Sequence, residues 1–224
     1  MLSAIRSGSM IEIILTAFSL LVMLFVVFPV HECSHALAAK LLGDDTAERQ
    51  GRITLNPFAH LDIMGTIGIL AFGIGWAKPV PVNPARCRKV SQKAAMAITA
   101  AAGPMANFVS SLIFMIIMKV LIVCYNGSDS APDALYYIIM ALRLIIEIDL
   151  FNGVFNLLPV PPFDGSRVFF AFLPTKYYFA IMKYEQYIMI GLLLLMWTGI
   201  LSIPFSILSD LLYGFLDLIT KFIC

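Results

Sequence analysis

Residues 31–35 read His-Glu-Cys-Ser-His, and the rest of the chain is read outward from them. On a helix, residues four apart share one face, about 40° apart around the axis. His31 and His35 can therefore reach one metal ion, and Glu32 sits beside them, in reach of a water on that ion. This is the H-E-x-x-H spacing of zinc hydrolases, whose glutamate is the general base. The pattern also occurs by chance, so its flanks decide the reading. Residues 13–30 form an apolar run, interrupted only by Pro29, that leads straight into the motif. At about 18 residues it is long enough to span a bilayer. Ionisable residues at the end of such a helix are costly to bury and functional by default. The expectation is a zinc hydrolase site inside a membrane.

Composition agrees. The 224 residues are 60% hydrophobic and only 13% charged, with mean hydropathy +0.91. Soluble domains carry nearer 25% charge. A polytopic membrane protein is expected, as one domain over 1–224 with a core at 11–173 and C-terminal helices at 188–223. The net charge of +1 gives nothing to suggest nucleic acid. Cys33, Cys87, Cys124 and Cys224 are scattered, which argues against a disulfide framework or a cysteine zinc site.

Further along the chain, the first helix should run on to Gly43, a good C-cap, with a kink at Pro29. Residues 52–57 look strand-like and end in the Asn56-Pro57 turn signal. Residues 63–77 are apolar, but too short and too rich in glycine for an ordinary span; a re-entrant or interfacial hairpin is expected. Gly73-Ile74-Gly75 is too weak a pattern for a phosphate loop. Residues 94–124, 135–158 and 188–203 read as spans. The second breaks at Pro159, Pro161 and Pro162 and resumes at 164–173. Residues 205–223 are amphipathic, with Asp210, Gly214, Asp217 and Lys221 on one face, and suit either a last span or an interfacial helix. In all, an all-α polytopic membrane protein of about four to six transmembrane helices is expected. It would have a re-entrant β-hairpin and one proline-broken helix.

Residues 78–93 hold Lys78, Arg86, Arg88, Lys89 and Lys93 and no acid. The positive-inside rule places this loop and residues 174–187 in the cytosol, residues 125–133 outside, and the motif toward the cytosolic side. Lys119, near the outer end of its span, is expected to snorkel. His35 and Asp164 each lie eight or nine residues from the inner end of their helices, on the order of 12–14 Å deep. Asp164 also sits where proline breaks the helix, which is tolerated only around a cavity. Two histidines and a carboxylate are a known catalytic zinc set.

Three segments carry a family resemblance. Asn156-Leu-Leu-Pro159-Val-Pro-Pro-Phe-Asp164-Gly165 matches the N-x-x-P-x-x-x-x-D-G motif of the site-2 protease family of intramembrane zinc proteases. Ala102-Gly-Pro-Met-Ala-Asn107 resembles that family's G-P-x-x-N segment. Arg52-Ile-Thr-Leu-Asn56-Pro57, Gly65-Thr66 and Trp76-Ala-Lys78-Pro79 are similar to it too. The resemblance covers roughly residues 20–173, in a compact form without the PDZ or CBS domains of larger members. Ile63-Met64 departs from it, since relatives often have a proline there.

The resemblance implies that His31, His35 and Asp164 bind one zinc ion per chain and that Glu32 is the base. It implies Asn156 and Asn107 as polar donors near the substrate; the alternative for both is helix–helix hydrogen bonding. It also implies that Ile53, Thr54 and Leu55 belong to a hairpin onto which an unwound substrate helix adds as a strand. The substrate would be a membrane protein with a transmembrane helix, cut within the bilayer in regulated intramembrane proteolysis.

His60 is expected at the interface rather than as a metal ligand, and Arg143, Glu147 and Asp149 in structural or near-surface positions, with a proton path as the alternative. The competing class is a non-hydrolytic membrane protein, either a metal transporter or an inactive chaperone-like relative. A transporter spreads acidic or histidine residues over several helices, whereas here they converge at one depth. An inactive relative would lack Glu32 or a ligand, and all are present.

Overall fold

The computed structural model describes residues 10–72, 75–125, 133–174, 176–177, 181, 183–200 and 202–223. The described residues are helical, with no strand among them. The first helix comprises α1 (Met10–Val22), a π-helical turn (Met23–Val27) and α2 (Phe28–Leu42). Short α3 (Thr46–Arg49) and α4 (Ile63–Phe72) follow, then the long α5 (Gln92–Tyr125) and α6 (Asp133–Asn156). Last come α7 (Asp164–Phe170), α8 (Glu185–Trp197) and α9 (Ser202–Ile219).

Gly43 ends α2 in the left-handed conformation (φ 107°), as its position suggested. Pro29 was expected to kink the helix. The irregularity instead begins a turn earlier, where the Phe28 N–H bonds the Met23 carbonyl in a π turn. Proline has no N–H to give, and the wider turn absorbs the loss.

Among the described residues, two helices are long and apolar enough to cross a membrane: Met10–Leu42 and Gln92–Tyr125. Both leave an apolar stripe uncovered. Ile11, Ile14, Phe18, Leu21 and Phe25 are exposed along the first, and Met105, Val109, Ile113, Ile117 and Val120 along the second. Spacings of three and four put each set on one face. The inward faces pack. Met115, Met118, Ile146, Leu150 and Leu216 form one core between α5, α6 and α9. Leu20, Leu24, Phe28 and Ile69 form another, between the first helix and α4.

Several expectations are corrected. Residues 52–76 do not form a β-hairpin. Asp62 accepts the Gly65 N–H at 2.8 Å and starts α4 as an N-cap, and the only pairing there among the described residues is a single bridge, Leu61 to Ala77. Gly73 and Ile74 lie outside the described residues, as do residues 126–132, the loop expected outside. The run 188–203 is not one helix: α8 stops at Trp197 and Gly199 turns with φ 75°. Lys119 does not snorkel. It is buried, and its Nζ donates to Asp217 Oδ1 (2.8 Å) and to the Asp217 carbonyl (2.9 Å) on α9. His60 is not interfacial but fully buried.

Candidate metal centre

Helix α2 turns His31 and His35 toward α5, and α7 brings Asp164 to meet them. His31 Nε2 lies 3.2 Å and His35 Nε2 3.1 Å from Asp164 Oδ2, and the two Nε2 atoms are 3.1 Å apart. Ligand atoms on a tetrahedral zinc, with bonds of about 2.0–2.1 Å, sit about 3.3–3.4 Å apart. The triangle therefore fits one such ion.

The outer ring nitrogens fix the tautomers. His35 Nδ1 donates to the Thr99 carbonyl at 2.7 Å, and a carbonyl can only accept. His31 Nδ1 donates to Asn107 Oδ1 at 2.5 Å. Asn107 is oriented in turn by donating Nδ2 to Asp149 Oδ1 at 2.6 Å. Both histidines thus keep their Nε2 lone pairs for a metal, the usual arrangement behind a zinc histidine. Unprotonated nitrogens and a carboxylate oxygen this close repel one another unless a cation lies among them, so the donor set fits zinc.

Two motif glycines follow from this packing. A Cβ at Gly103 would lie 2.6 Å from Cε1 of His31 and closer still to the His35 ring. A Cβ at Gly165 would overlap the Leu157 and Leu158 carbonyls, where the proline-broken segment folds back on α7. Any larger residue pushes a ligand out of place.

Glu32 is buried beside the histidines, and its Oε2 accepts the Val80 N–H at 3.1 Å. The segment that carries Val80 is anchored by Arg52. The guanidinium donates to the Lys78 carbonyl (2.5 Å) and the Pro79 carbonyl (3.2 Å) and reaches His60 Nδ1 (3.5 Å). His60 Nε2 donates to the Thr54 carbonyl at 2.8 Å, and Lys78 N–H to the His60 carbonyl at 2.7 Å. His60 is thus a strut under the 77–80 segment.

A cavity of about 660 Å³ opens over His31, Glu32, His35 and Asp164. Asn156 lines it, with its amide donating to the Asn152 carbonyl (3.0 Å) and Oδ1 (3.2 Å). Asn107 sits behind His31 with Oδ1 and Nδ2 both engaged, on the helix–helix alternative and not as a substrate donor. Ile53, Thr54 and Leu55 do not line the cavity; Gly75, Trp76, Ala77, Pro79, Val80 and Val82 do. Asp149, expected in a structural or near-surface position, is fully buried behind Asn107 and also accepts a hydrogen bond from Ser110; its link to the metal site was not read from the sequence. No local spacing marks it, because its partner is on another helix. The Arg143–Glu147 pair, as its i,i+4 spacing suggested, is exposed and joined at 2.9 Å.

The geometry defines a class: a helical protein with two histidines and an aspartate set for one metal ion, and a carboxylate beside them. Over 181 residues the chain is 38% identical to "Putative zinc metalloprotease YwhC" of Bacillus subtilis (strain 168), a match covering 80% of each chain. It belongs to this zinc metalloprotease family. No family model matches the chain, and no solved structure matches it.

Proposed function

We propose that the protein is a zinc metalloendopeptidase of the site-2 protease type. It would hydrolyse peptide bonds within or near transmembrane segments of membrane-protein substrates, as in regulated intramembrane proteolysis. The observation that carries this reading is the triangle of His31, His35 and Asp164 donor atoms, with Glu32 beside it in one cavity. The exposed apolar stripes support placement in a bilayer, since soluble monomers rarely leave such surfaces bare. On this reading the chain is a single multi-pass domain of four to six spans, with α6 and the C-terminal helices joining the two longest.

His31, His35 and Asp164 hold one zinc ion per chain. When bound there, zinc supplies Lewis acidity toward a water and the scissile carbonyl. Glu32 takes the proton from the attacking water and passes it to the leaving amine. The Val80 N–H holds Glu32 Oε2, leaving Oε1 for this transfer. Asn156, on the cavity wall, would steady the substrate backbone. A helical peptide bond is shielded by its own hydrogen bonds, so the substrate must unwind to be cut.

The test separates base from ligands. Glu32→Gln should keep one zinc per chain by elemental analysis and lose cleavage of single-span substrates by roughly 10²–10⁴-fold. His31→Ala with Asp164→Ala should lose the metal. Full activity in Glu32→Gln, or stoichiometric zinc in the double variant, refutes the assignment.

A further inference from the structure

We infer that Arg167 is a carboxylate-binding subsite that favours substrates with an aspartate or glutamate near the bond to be cut; this rests on the peptidase reading above. The ionisable residues lining the cavity are His31, Glu32, His35, Asp164, Arg167 and Glu185. The first four are the metal and base set. Arg167 lies three residues after Asp164 on α7, on the same side of that helix. Asp164 does not claim it, because Asp164 Oδ2 is turned to the two histidines. Among the described residues nothing pairs with Arg167, neither an acid within 4 Å nor a hydrogen-bond acceptor.

The other described arginines show how unusual this is. Arg49 and Arg86 bond Asp45, Arg143 bonds Glu147, and Arg52 bonds two carbonyls. Only Arg88 is also without a partner, and it is exposed, where water solvates it. Arg167 is partly buried in a cavity whose walls include Phe28, Met96, Phe155, Phe163 and Leu192. A guanidinium there is costly until an anion arrives. Its planar fork of donors matches a carboxylate with two parallel bonds. An apolar membrane segment entering this cavity brings only its backbone and side chains, and a carboxylate is the anion it can present. Glu185 in the same cavity disfavours a second acid, so one acidic residue is preferred to two.

The test uses the full chain in detergent micelles. A single-span apolar peptide carries one glutamate walked along its sequence, and each version is paired with its glutamine counterpart. Affinity is read by fluorescence anisotropy on the zinc-loaded Glu32→Gln protein, and cleavage on the wild type. In one window of positions the glutamate peptide should bind about 10–100-fold tighter than its glutamine partner, the usual scale of a charge-assisted pair. Adding Arg167→Gln should abolish that preference, while Arg167→Lys should retain part of it. The lysine variant also serves if the glutamine variant does not fold. Equal affinities along the whole walk, or a preference that survives Arg167→Gln, overturn the subsite. Cleavage by the wild type with no acidic preference removes the subsite and leaves the peptidase reading. Binding that depends on Arg167 with no cleavage of any peptide removes the peptidase reading and leaves the subsite.

Discussion

At the scale of single residues, the metal centre depends on atoms that never touch the metal. Asn107 holds the His31 ring, and Asp149 holds Asn107. Removing such a partner from a zinc histidine typically costs 10–100-fold in metal affinity. Asn107→Ala and Asp149→Ala should each weaken zinc binding by about that factor in a chelator competition. Asp149→Asn should be milder, because its amide oxygen still accepts from Asn107. Wild-type affinity in Asn107→Ala would show that the His31 ring is held by packing alone. Gly103→Ala puts a methyl group into both histidine rings, so it should lose zinc while the helices persist by circular dichroism. The pairing of His31 and His35 was legible in the sequence because an i,i+4 spacing on a helix is a local fact, whereas Asp164, distant in the chain, was reached only through its depth and the motif it sits in. The tie between Asp149 and Asn107 was not legible, because it comes from the register between α5 and α6, and nothing within either helix states that register.

At the scale of elements, residues 52–80 show where local reading fails. Ile53, Thr54 and Leu55 have strand-forming side chains, and the glycines after them suit tight turns. The chain instead forms α4, and the missed signal is Asp62, an N-cap residue directly ahead of an apolar run. The glycines serve close packing: a Cβ at Gly65 would overlap the backbone of Trp76. The segment is then tied down through side chains. Arg52 bonds the carbonyls of Lys78 and Pro79, and the next residue, Val80, bonds Glu32. Arg52→Ala should therefore release the 77–80 segment and its hold on Glu32. Cleavage should fall at least tenfold with zinc content unchanged, and stability should drop by roughly 1.5–3 kcal/mol for the lost hydrogen bonds from the guanidinium. Unchanged cleavage in that variant would show that Glu32 is positioned without the segment. The break after Trp197 was missed for a related reason. Residues 188–203 carry no charge, and hydropathy does not register a Thr198-Gly199 turn.

At the scale of the whole molecule, the expected orientation rests on the basic loop before α5, whose Arg86, Lys89 and Lys93 are tied to neighbouring segments. Lys89 Nζ donates to the Leu41 carbonyl and Lys93 Nζ to the Leu173 carbonyl, each at 2.6 Å, so two basic residues cap the chain where α2 and the α7 segment end. Arg86 bonds Asp45 in the loop after α2. The ends of three segments thus meet in one basic face, and moving that face across a bilayer would carry all its charges through hydrocarbon. We expect it in the cytosol, with the metal centre on the cytosolic side of the membrane midplane. Cysteine labelling of intact cells with an impermeant reagent checks this, but the native Cys87 is a poor reporter. It is buried, and burial pushes its thiol above the ordinary range, so it would react slowly on either side. Ala85 is exposed two residues away, and Ala85→Cys in a cysteine-free background is the better probe. Ser128→Cys, between α5 and α6, reports the other side. Intact cells should label position 128 and not position 85, and permeabilised cells should label both. The reverse pattern in intact cells would invert the chain and place the metal centre toward the outer face.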